Sequence, residues 1–134
     1  MSTDPSAKWI LETGRPDLIA NWFKQRAFDA RRLRETAEKL VWSGLDENSK
    51  KPAEVLQALA DARVSVSYLM ALTAHAAESG HADWSSDQDR YRFVSIAVRE
   101  GADSMSSDFD HITRLESMVE KLIGSVHKLT TGLA

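Results

Sequence analysis

The chain has 134 residues, of which 43% are apolar and 28% charged, with a formal net charge of −3 and no cysteine. That length fits one domain able to bury roughly two-thirds of its unfolded surface, so no cross-links are needed for folding. The missing thiols exclude disulfides, thiolate nucleophiles and thiolate metal sites, and the mild negative charge argues against indiscriminate binding to nucleic acid.

No run approaches the ~18 uninterrupted apolar residues of a membrane span. The start, Met1-Ser2-Thr3-Asp4-Pro5, lacks the basic and apolar regions of a secretion signal. The expectation is a cytoplasmic protein with no membrane contact.

The three prolines, Pro5, Pro16 and Pro52, each precede a stretch of helical pattern. Proline is accommodated in a first helical turn because its missing N–H would have no partner there. The first helix is expected at about 5–13, with Asp4 as cap and Gly14 as stop. The second, about 16–43, places Ile19, Trp22, Phe23, Ala27, Ala30, Leu33, Ala37, Leu40 and Val41 at steps of three and four. Gly44 is expected to end it, ahead of a polar loop from Leu45 to Lys51.

The third, about 52–78, carries Val55, Leu56, Leu59, Ala62, Val66, Leu69, Met70, Thr73 and Ala77 on the same spacing, and Gly80 is expected to close it. The alternation Val64-Ser65-Val66-Ser67-Tyr68 is too brief to outweigh the longer helical period. A capping box of Ser85 with Gln88 announces the fourth helix, about 86–130. There Tyr91, Val94, Val98, Met105, Ile112, Leu115, Val119, Leu122, Val126 and Leu129 follow one seven-residue repeat. Gly101 and Asp108 interrupt that repeat, so this helix is either long with a local irregularity or kinked near Gly101–Ser107. The predicted fold is all-α: an antiparallel bundle of three long helices plus a short N-terminal one, in a single domain spanning 1–134.

At 1.5 Å per residue the second and third helices would each be roughly 40 Å long and the fourth roughly 65 Å. The longest helix would thus carry an uncovered apolar seam. Ile112, Leu115, Val119, Leu122, Val126 and Leu129 have the residue choice of a coiled coil, so self-association as a homodimer is expected through them. The competing reading packs these residues inside the chain's own bundle.

Chemistry-bearing motifs are scarce. His75 and His81 suit the end of the third helix, where the dipole favours a cation, and His127 reads as exposed. Asp108, Asp110 and His111 cluster within one turn, but a carboxylate-bridged metal pair needs Glu-x-x-His on two helices plus further glutamates. Neither Gly-x-Ser-x-Gly nor a glycine-rich phosphate loop is present. Asp87/Asp89 and Asp108/Asp110, two residues apart, point about 200° away from each other on a helix. No metal, cofactor or catalytic residue is therefore assigned, and a non-enzymatic protein is expected.

Lys24, Arg26, Arg31, Arg32 and Arg34 form a basic stripe opposed locally only by Asp29. It suits either a neighbouring acidic helix, such as the fourth with Glu100, Asp103, Asp108 and Asp110, or phosphate. Of the four tryptophans, Trp9, Trp22, Trp42 and Trp84, those at 9 and 84 are expected to cap bundle ends or to anchor a partner.

These readings favour a protein–protein interaction module: an adaptor, regulator or assembly subunit that self-associates through its last helix. One alternative is a nucleic-acid-associated regulator using Lys24–Arg34. Another is a small-molecule-binding bundle or enzyme, with Tyr68, Met70 and Phe93 lining an internal pocket.

Overall fold

The computed structural model describes residues 5–47 and 52–133, with side chains from 8 to 43 and from 52 to 124. Four helices follow in order: α1 (Pro5–Glu12), α2 (Pro16–Glu47), α3 (Pro52–Ser86) and α4 (Gln88–Leu133). The three long helices pack on one another, α4 lying along both α2 and α3, while α2 and α3 touch each other least. The fold is therefore the expected all-α bundle with a short leading helix. Each described helix opens near its proline, except α4, which has none.

Gly14 takes the left-handed conformation (φ 63°) that glycine adopts without penalty, and it separates α1 from α2. The Thr13 hydroxyl donates to the Ile10 carbonyl at 2.6 Å, tightening the end of α1. The start of α4 is tied to the same turn: Arg90 donates to the Gly14 carbonyl at 2.6 Å.

The core falls into two clusters. Near the α1–α2 turn, Ile19, Trp22, Phe23, Ala76, Trp84, Tyr91 and Val94 pack together. Phe23 meets Trp22 and Trp84 edge to face, at centroid distances of 5.1 and 5.8 Å. Toward the other end, Ala30, Ala37, Val41, Val55, Leu59, Ala62, Val66, Met105, Ile112, Leu115 and Val119 form a second cluster. Removing this apolar area from water is the main force for folding.

Several helix limits differ from the expectation, each for a local reason. Gly44 does not stop α2, which continues to Glu47; a lone glycine costs a helix about 1 kcal/mol relative to alanine, and neighbouring turns can carry that. Gly80 does not close α3, which runs on to Ser86. It is buried because the ring of Trp84 lies against it, one turn on; a Cβ at that position would overlap the indole. Trp84 accordingly sits in the last turn of α3, not in a loop.

The α4 cap is Asp87, whose Oδ1 accepts the Arg90 N–H at 3.2 Å, and not the Ser85–Gln88 box. Ser85 lies instead beside the His81 ring, 3.3 Å from its Nε2. Gly101–Ser107 is regular helix. The departure from helical geometry in α4 lies in its first turn, at Tyr91 (φ −103°, ψ 16°). Gly101 is buried against α2, yet a Cβ there would stand at ordinary contact distance, 3.7 Å from Ala27 and 3.8 Å from the Phe23 carbonyl, so the packing does not require glycine.

Candidate functional site: a groove between α2 and α3

Of the basic stripe, Arg31 and Arg34 turn toward α4. Arg31 Nε donates to Asp108 Oδ1 at 2.8 Å, and Arg34 Nε donates to the same oxygen at 3.3 Å. Arg34 also donates from Nη1 to Glu38 at 2.7 Å, and Arg31 donates from Nη2 to the Ser104 hydroxyl at 3.3 Å. Asp108 is only 2% exposed, and two arginines account for a carboxylate at a position that the seven-residue pattern would fill with an apolar side chain.

His111 does not join Asp108 and Asp110 in a metal cluster. Its Nε2 lies 3.3 Å from Glu38 of α2, an ion-pair distance without hydrogen-bond alignment. Among the described residues no group of three metal-ligating side chains converges. Burial pushes the Glu38 carboxyl upward, but a hydrogen bond from Trp42 and the charges of His111 and Arg34 outweigh it, leaving Glu38 below its ordinary value.

Arg26 pairs with Asp29 at 3.3 Å and lies over the Trp22 ring at 5.3 Å. Arg32 lies over Phe28 at 5.9 Å, and Lys24 is exposed. The five cations thus do not present one phosphate-facing surface: Arg31 and Arg34 serve the α2–α4 contact.

The expected self-association seam is likewise divided. Ile112, Leu115 and Val119 are buried inside the chain's own core, at 0%, 6% and 0% exposure, against α2 and α3. They cannot meet a second chain without opening the bundle, which corrects the expectation that they form an interface. Leu122 is 44% exposed. The side chains of Val126 and Leu129, like that of His127, lie outside the described residues.

Tyr68, Met70 and Phe93 do not line one internal pocket. Tyr68 and Phe93 are exposed, at 52% and 45%, whereas Met70 borders a shallow crevice between α3 and α4 with Thr73 and Met105. Of the terminal tryptophans, Trp9 stands 60% exposed and Trp84 is buried. His75 lies within α3 rather than near its end, because the helix runs on to Ser86.

One concavity is of a kind that the spacing of single helices could not reveal. An open groove of about 900 Å³ lies between α2 and α3, lined by residues of those two helices and by none of α4. Leu33, Ala37 and Leu40 line it from α2, and Ala58, Ala62 and Leu69 from α3. Asp29 and Arg32 on one rim and Asp61 on the other are its charged groups. Alanines on the floor allow a helix backbone to approach closely. Beside the groove Val64 and Tyr68 are more than half exposed.

These exposed side chains follow from the composition of α3, the one described helix long and apolar enough to cross a membrane by length and composition. Here Val55, Leu59, Ala62, Val66 and Ala76 of α3 are buried against its neighbours, and Arg63 donates to Glu116 of α4 at 2.9 Å. Its apolar residues extend past the side that the bundle covers, and the excess forms the groove wall.

A second cleft of about 450 Å³ lies where α3 turns into α4, between His81, Gln88, Arg92 and Arg99. No acidic side chain lines it. The α2–α3 groove, with twice the volume and an apolar floor, is the more extensive candidate. Comparison of the chain with protein-family models, with curated proteins and with solved structures gave no match.

Proposed function

We propose that this chain is a protein–protein interaction module that receives an amphipathic helix in the α2–α3 groove, completing a four-helix bundle. The observation that carries this reading is the groove itself: an apolar floor of leucine and alanine about 16 Å long on α3, from Ala58 to Leu69, left open in an otherwise packed bundle. Three-helix surfaces of this shape match the helix-in-groove mode of recognition, in which apolar residues at steps of three and four anchor a partner.

The partner's chemistry follows from the lining. Its buried face carries leucine- or valine-sized residues, and its flanks meet a rim of mixed charge: Asp61 on one side, and on the other Arg32 with Asp29, which Arg26 already pairs at 3.3 Å. The role is that of an adaptor, regulator or assembly subunit, and it needs no catalytic residue.

The nucleic-acid reading is weaker. Two of its five cations are held by Asp108, and a surface built to track phosphate would keep them facing solvent.

A photo-crosslinking amino acid placed at Ser65, which is exposed on the groove wall, tests the proposal. The control position is Asp103, exposed on α4. Adducts from Ser65 should map by mass spectrometry to the apolar positions of one amphipathic helical segment. Equal, scattered adducts from Ser65 and Asp103 would overturn it.

A further inference from the structure

We infer that the cleft between the end of α3 and the start of α4 binds a phosphorylated small molecule, with Arg92 and Arg99 holding its phosphate. This site is separate from the α2–α3 groove and does not depend on the docking reading.

The partners of the arginines single out these two. Arg15, Arg26, Arg31, Arg34 and Arg63 pair with carboxylates. Arg90 and Arg114 donate to backbone carbonyls, and Arg32 lies over the Phe28 ring. Arg92 and Arg99 alone make no ion pair, hydrogen bond or ring contact among the described residues. Carboxylates are within reach along the helix: Asp89 precedes Arg92 by three residues, and Asp103 follows Arg99 by four. Side chains pair at those spacings on a helix, yet neither pair is formed here.

Both arginines line the same cleft of about 450 Å³. Seven residues apart on α4, they fall on one face, two turns and about 10 Å from each other. Ser95 lies between them, and His81 and Gln88 complete the polar lining, with no acidic side chain among them. Asp87, next to Gln88, is engaged instead with the Arg90 N–H that it caps at 3.2 Å. A guanidinium presents a planar fork of N–H donors that matches phosphate oxygens two at a time. The Gln88 amide and the Ser95 hydroxyl, neither hydrogen-bonded to a described residue, add donors to the same anion.

The remaining lining describes the rest of the ligand. A cleft of this volume falls within the range of small-molecule sites and exceeds what one inorganic phosphate fills. Trp84, packed edge to face on Phe23, is a fixed wall, and Ile96 is 36% exposed beside it. Together they offer an apolar contact to an organic body of about nucleotide size. A concave site of this kind suits a soluble ligand better than the flat surface of an anionic membrane.

An NMR chemical-shift titration of the isotopically labelled chain tests this, with adenosine diphosphate, inorganic pyrophosphate and adenosine as probes. Adenosine diphosphate, and more weakly pyrophosphate, should shift the Trp84 indole N–H and the backbone amides of Gln88 and Ser95. Adenosine, which has no phosphate, should not. Arg92→Gln and Arg99→Gln should each weaken adenosine diphosphate about tenfold. Neither should lower the melting temperature, because both side chains are exposed and unpartnered among the described residues. Lys24→Gln with Arg32→Gln, on the basic stripe of α2, should bind as the parent does.

The inference is overturned if neither phosphate probe moves these signals at about 5 mM, a concentration that reveals even weak binding. Shifts centred on α2, or equal affinity in the Arg92 and Arg99 variants, overturn it as well. A response to pyrophosphate but not to adenosine diphosphate would show that an organic phosphate does not fit. Sedimentation with anionic phospholipid vesicles that both arginine variants lose, without any response to the soluble phosphates, would assign the pair to a membrane surface and remove the small-molecule reading.

Discussion

Replacing Asp108 by asparagine probes the α2–α4 contact with little change of shape. Breaking a buried charge pair typically costs about 3–5 kcal/mol, because the surviving charge is left buried and uncompensated. Two features lower that figure here. The Arg31 side chain is 44% exposed and regains water, and Arg34 keeps Glu38 at 2.7 Å. Asp108 Oδ2 has no hydrogen-bond partner within the protein, so the carboxylate also carries a desolvation cost that a neutral amide reduces.

The expected loss is about 1.5–2.5 kcal/mol. With an unfolding entropy near 2.1 cal/mol/K per residue, this lowers the melting temperature by roughly 5–9 °C. Double-mutant cycles with Arg31→Met and Arg34→Met, read by urea denaturation, divide the effect. Arg31 makes the shorter contact, 2.8 Å against 3.3 Å, but Arg34 is the less exposed, 18% against 44%. Burial is expected to win. The Asp108–Arg34 coupling should reach about 1 kcal/mol or more and resist salt, while the Asp108–Arg31 coupling stays near 0.5 kcal/mol and fades as salt is added. An asparagine variant within 0.5 kcal/mol of the parent, or a larger coupling for Arg31, would refute this reasoning.

Other expectations follow from single positions. Gly80→Ala should destabilise by about 1–3 kcal/mol through the clash with Trp84, whereas Gly101→Ala, with no atom closer than 3.7 Å, should stabilise by up to about 1 kcal/mol through helix propensity; thermal melts of the pair check both signs. Ile112→Ala should cost about 2–5 kcal/mol, as a fully enclosed side chain does, and light scattering should show an unchanged assembly state at temperatures where the variant is folded. Because the folded state holds the Glu38 carboxyl below its ordinary 4.5, its contribution is present above that value and is lost as pH falls through the lowered value. Glu38→Gln should therefore flatten the acid limb of a stability–pH curve; an acid limb identical to the parent's would show that Glu38 contributes nothing to it.

The helical architecture was legible because it depends on local signals. Three prolines at helix starts, Gly14 at a turn and apolar steps of three and four all act within a few residues. Glycine within a helix proved harder to read. Gly80 and Gly101 look like stops or breaks in isolation, yet both lie inside regular helix; Gly80 is explained by the Trp84 ring against it, while the space at Gly101 would accept a Cβ. The repeat Ile112–Leu115–Val119 posed a similar difficulty, since a seven-residue apolar period describes a helix face without saying whether its cover comes from the same chain.

The groove was hidden for a related reason. Leu33, Ala37, Leu40, Ala58 and Ala62 are ordinary members of two apolar stripes. Only the packing of α2 beside α3 brings them together along one open groove. The interruption at Asp108 was visible in the pattern, but its pairing with Arg31 and Arg34 needed the α2–α4 register.

The claim that the α2–α3 groove is a docking surface is tested most directly by hydroxyl-radical footprinting inside the source cells against the dilute purified chain. Tyr68 beside the groove and Phe93 on α4 have similar exposure, 52% and 45%, in the isolated chain. A seated helix predicts strong protection of Tyr68 in cells, with Phe93 labelled as before. Equal labelling of Tyr68 in both settings would contradict it.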